Sequence, residues 1–101
     1  MNAEIEKHMP EIEALCRKYG VSRLELFGSA TGPDFDVEHS DFDLIATFAQ
    51  TPGIEFVRFA DELEQLLGRH VDLMMNRPIR NPFLRQGVES TRRVIVDAQV
   101  A

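Results

Sequence analysis

DFDLIATFAQTPGIEFVRFADELEQLLGRHVDLMM, residues 41–75, decides the fold. Phe42 to Phe48 is a short apolar run bounded by Gln50, Thr51, Pro52 and Gly53, which reads as a strand ending in a turn. Phe56, Phe59, Ala60, Leu63, Leu66 and Leu67 then recur at helical spacing, and Gly68 closes the helix. Val71 to Met75 is a second apolar strand. If the helix between these two strands makes a crossover unit, the strands are parallel and the connection is right-handed. Parallel strands start at one edge of the sheet. Asp41 and Asp43 at the first strand's start then converge with Asp72 at the second's.

Upstream, Val21 to Phe27 is another strand, with Leu24 and Leu26 on one side and Glu25 on the other. It leads into the small-residue turn Gly28-Ser29-Ala30-Thr31-Gly32 and a polar loop over 33–40. If this strand runs antiparallel to the next, the turn reaches the same edge as the three aspartates. Ile5, Met9, Ile12, Leu15 and Cys16 mark an amphipathic N-terminal helix with Gly20 as its stop. Pro10 inside it predicts two short helices, or one that restarts with Pro10 in its first turn. Downstream, Asn81-Pro82 opens a helix running to about residue 90, and 94–96 is the last strand. The fold class is α/β (α+β mixed): a small mixed β-sheet flanked by helices.

A length of 101 residues predicts one domain over 1–101. Hydrophobic residues make up 44% and charged residues 28%, the balance of an ordinary soluble globule. No apolar run approaches the roughly 20 residues that span a bilayer. The charged N-terminus does not read as a signal peptide. Cys16 is the single cysteine, so no internal disulfide forms. These features predict a cytoplasmic, reducing setting and no membrane partner. The net charge of −6 argues against gripping long nucleic acid, which requires a basic face. An acidic protein that handles phosphates must use cations to do so.

Asp41 and Asp43 stand at i and i+2, so on a strand both point to one face. Neighbouring carboxylates resist ionising together unless a cation is shared. Three acceptor-only ligands suit a hard ion such as magnesium. Two such ions roughly 3.5–4 Å apart stabilise both the attacking and the leaving oxygen of a phosphoryl transfer. Gly28 lets backbone N–H groups approach a phosphate closely, and Ser29 adds a compact donor. Asp72 is also placed to take the proton of an attacking hydroxyl.

Leu26-Phe27-Gly28-Ser29, then Ser40-Asp41-Phe42-Asp43-Leu44, then Val71-Asp72-Leu73 resembles the pattern of the DNA polymerase beta-type nucleotidyltransferase superfamily. The length and the tail Asn81-Pro82-Phe83-Leu84-Arg85 are similar to its minimal members, the MntA-like antitoxin group. The resemblance implies the polymerase beta-like fold, Mg2+ held by Asp41, Asp43 and Asp72, and ATP bound through Gly28 and Ser29. It also implies transfer of AMP to a tyrosine hydroxyl of a partner, a HEPN-type toxin that is silenced by it. Many relatives carry basic residues just after the glycine-serine turn, whereas Ala30-Thr31-Gly32-Pro33 has none.

Other features carry blander readings. Asp34, Asp36 and Glu38 lack the glycine and terminal glutamate of a calcium loop and read as solvated. His8, His39 and His70 show no ligand spacing. Cys16 reads as core, and Tyr19, Arg92 and Arg93 carry little signal. The uncharged 30–32 stretch supports an alternative function, an antitoxin that neutralises its partner by binding alone. A transferase acting on a small molecule fits less well, because its acceptor pocket requires an added helical domain. Base preference, acceptor identity and pairing with itself or with another chain are not encoded in any of these motifs.

Overall fold

The computed structural model describes residues 3–28, 41–76, 82, 86 and 92–97. Its elements run α1 (Ala3–Lys7), α2 (Met9–Tyr19), β1 (Val21–Phe27), β2 (Phe42–Phe48), α3 (Glu55–Leu67), β3 (Val71–Met75) and β4 (Arg93–Asp97). The helical break falls at His8, two residues before Pro10 in the first turn of α2. Proline has no N–H to lose there, so the helix restarts without cost. Gly20 and Gly68 close α2 and α3 in the left-handed conformation, and each returns its N–H to a helix carbonyl, of Cys16 and of Glu64. The predicted helix over 81–90 falls outside the described residues except at Pro82 and Gln86, which are both helical.

The four strands order as β3-β2-β1-β4. β2 and β3 are parallel, whereas β1 is antiparallel to both β2 and β4. The sheet is therefore mixed, and α3 is the crossover. One face, carrying Leu24, Leu26, Phe42, Leu44, Ala46 and Val71, packs with Ile5, Ile12, Cys16, Phe59 and Leu63 from the helices. The ring of Phe48 meets that of Phe59 edge-on at 6.2 Å. Full burial of each such Leu or Phe contributes about 1.5–3 kcal/mol relative to exposure. Strand alternation sends Glu25, Phe27, Asp43, Ile45 and Asp72 to the opposite face. Ile45 is buried there and stands apart from the main cluster. Among the described residues no helix is long and apolar enough to cross a membrane.

Candidate active site

Asp43 pairs with Phe27 across the antiparallel ladder and with Asp72 across the parallel one. Asp43 and Asp72 are therefore side by side on one face, at the edge where β2 and β3 begin. Asp41 sits one residue outside β2 at an exposed position on the same edge. Phe42, between the two aspartates, donates its N–H to the His70 carbonyl at 3.1 Å, which ties the start of β2 to the turn before β3. Gly28 follows β1 at φ +77°, and a β-carbon there would lie 2.8 Å from Asp43 Oδ2. Only a glycine brings this turn so close to the carboxylate. Ser29, and with it the 30–32 stretch and the 33–40 loop, lies outside the described residues.

The field at this edge is strongly negative. Burial, followed by the charges of Asp72 and Asp41, pushes the Asp43 carboxyl above its ordinary range, and His70 opposes that rise. Among the described residues no lysine or arginine forms an ion pair with these three aspartates. Nor do any three His, Cys, Asp or Glu side chains among the described residues already stand at metal-holding spacing. The donor set nonetheless fits a hard divalent cation: acceptor-only oxygens, two on adjacent strands, whose mutual repulsion a cation relieves.

Two arrangements escaped the sequence reading. His70, two residues before Asp72, donates from Nδ1 to Glu64 Oε1 at 2.7 Å. The Glu64 contact, joined by the charges of Asp41 and Asp72, raises the His70 pKa. Its proximity to Asp72 in sequence was the available signal. Glu25 is only 4% exposed and is gripped by Arg92 through Nε and through Nη2, the latter at 2.9 Å. Arg92 Nη2 also reaches Asn76 Oδ1 at 2.9 Å, and Asn76 donates to Thr47 Oγ1 at 3.1 Å. This polar network links the strands on the aspartates' face, and no local pattern announces it. A cavity of about 340 Å³, lined by Thr47, Phe48, Pro52 and Asn76, lies at the other end of β2 and β3, away from the carboxylates.

Residues 12–95 match the family model for the nucleotidyltransferase domain, a span that holds Gly28 and all three aspartates. A Methanocaldococcus jannaschii protein with the provisional name protein adenylyltransferase is 36% identical over 76 residues, 74% of this chain and 76% of the relative. Protein adenylyltransferase MntA of Thermococcus cleftensis is 32% identical over 68 residues, 66% of this chain and 68% of its own length. The fold recurs in the complex of a tri-AMPylated Shewanella oneidensis HEPN toxin with MNT antitoxin. There the TM-score is 0.65 at 23% identity, covering 94% of this chain and 74% of the matched one.

Proposed function

The chain belongs to the nucleotidyltransferase domain family, and from that premise we propose that it is a cytoplasmic, single-domain antitoxin that transfers AMP from ATP to a tyrosine hydroxyl of a HEPN-type toxin. The observation that carries the reading is the register of β2 on β3, which sets Asp43 beside Asp72 next to a glycine turn. Relatives named as protein adenylyltransferases support a protein acceptor. So does the net charge of −6, which disfavours long nucleic acid.

Asp41, Asp43 and Asp72 would hold Mg2+, two ions in this reading, which supplies positive charge to the triphosphate and to the developing charge of the transition state. Gly28 lets the turn approach the phosphates closely, and Ser29 donates to them. The acceptor hydroxyl oxygen bonds to the α-phosphorus of ATP while the bond to the β-phosphate oxygen breaks. Pyrophosphate leaves, and the hydroxyl proton passes to Asp72. A second reading, neutralisation by binding alone, is favoured by the uncharged stretch Ala30-Thr31-Gly32, which offers no basic side chain to a phosphate.

Calorimetric titration of ATP with Mg2+ into the wild type and into an Asp41→Ala, Asp43→Ala variant tests the site. Magnesium-dependent binding that the variant loses is the expected outcome. Asp43→Ala is also expected to abolish neutralisation of the toxin and incorporation of labelled AMP. Full neutralisation by that variant would replace the enzymatic reading with the binding one.

A further inference from the structure

Glu64 stands in the last turn of α3, which carries no basic residue. An acid there opposes the helix dipole, so helix formation alone disfavours it. Its contacts supply another reason for its presence. Glu64 Oε1 accepts the Val71 N–H at 3.2 Å and meets His70 Nδ1 at 2.7 Å. The Glu64 carbonyl accepts the Gly68 N–H at 2.8 Å. One residue thus holds both ends of the turn that joins α3 to β3. The His70 carbonyl in turn accepts the Phe42 N–H at 3.1 Å, between Asp41 and Asp43, and Val71 immediately precedes Asp72.

We propose that Glu64 is a positioning residue for the carboxylate site, a latch that sets the β2–β3 register and thereby the relative placement of Asp41, Asp43 and Asp72. This rests on the reading of those aspartates given above. Groups that orient metal ligands from behind typically change metal affinity by about 10–100-fold when removed. Glu62 is the matched control. It lies on the same helix with the same side-chain exposure as Glu64, 32%, and binds Tyr19 and Lys18 instead of the β3 turn.

Glu64→Ala, Glu64→Gln and Glu62→Ala are to be compared in the full chain by Mn2+-dependent ATP binding and by amide hydrogen exchange. Glu64→Ala is expected to weaken binding about tenfold or more and to speed exchange at Val71 and Phe42. Glu64→Gln keeps the Oε1 acceptor and should recover most of the loss, and Glu62→Ala should bind like the wild type. Wild-type affinity in Glu64→Ala, or an equal loss in Glu62→Ala, overturns the proposal. The exchange arm needs no ligand. A wild type that binds no Mn2+-ATP therefore sinks the proposed function, whereas slow exchange at Val71 and Phe42 that survives in Glu64→Ala sinks the latch.

Discussion

Gly28 and Asp43 share a space that leaves no room for a methyl group. Gly20 and Gly68 adopt nearly the same backbone, φ +72° and +70°, yet have nothing within 4 Å of the position a β-carbon would take. Alanine at any of the three carries the left-handed cost of roughly 1–2 kcal/mol. Only Gly28→Ala adds a collision, with Asp43 Oδ2 at 2.8 Å. Gly68→Ala is therefore expected to lose about 1 kcal/mol in urea unfolding and to keep its affinity for Mg2+-ATP. Gly28→Ala should lose more stability and most of that affinity. Equal nucleotide affinity in the two variants would show that the close approach has no role. The sequence was legible at this scale because a glycine between an apolar strand and a polar loop has few other uses. Cys16 was legible too: helical spacing put it in the core, where burial pushes its thiol up to about 12.

β1 illustrates how far alternation reaches. It correctly sent Leu24 and Leu26 to one face and Glu25 to the other. What it did not convey is that Glu25 is buried there. The partner that makes burial tolerable, Arg92, is 67 positions away and carried little weight on sequence grounds. A carboxylate taken out of water needs such a partner, and removing one member of a buried pair costs about 3–5 kcal/mol. Arg92→Ala should lower urea stability by about that amount. The double variant Glu25→Leu, Arg92→Met should recover most of the loss, since two apolar residues need no counter-charge. A loss in the double variant as large as in Arg92→Ala would mean that the pair specifies the strand arrangement in a way that apolar packing does not replace.

Across the whole molecule, the carboxylate edge stands in tension with stability. Asp43 has a folded pKa above the ordinary aspartate range, because of burial and then the charges of Asp72 and Asp41. Its favourable contribution is thus fully present below the unfolded value and is lost as pH rises through the folded one. Near neutrality its ionisation opposes folding. Asp43→Asn is expected to melt above the wild type at pH 7, with the advantage disappearing as pH falls below about 4. Added Mg2+ and ATP should stabilise the wild type and leave the variant unmoved. A variant that melts no higher at pH 7 would remove the argument that this edge is built for a cation.

Periodicity, glycine stops and the order of strand and helix determined the elements and pointed to a crossover that makes β2 and β3 parallel and brings the aspartates to one edge. Those are local signals, written in residues within a turn or two of each other. Only the tertiary structure decided that β1 runs antiparallel to β2, that Asp43 stands directly beside Asp72, that Glu64 meets His70 and the Val71 N–H, and that Arg92 pairs with Glu25. Each is a contact between segments distant in the chain or a matter of register. A one-residue slip in register would leave the amino-acid pattern unchanged and move a side chain to the other face of the sheet.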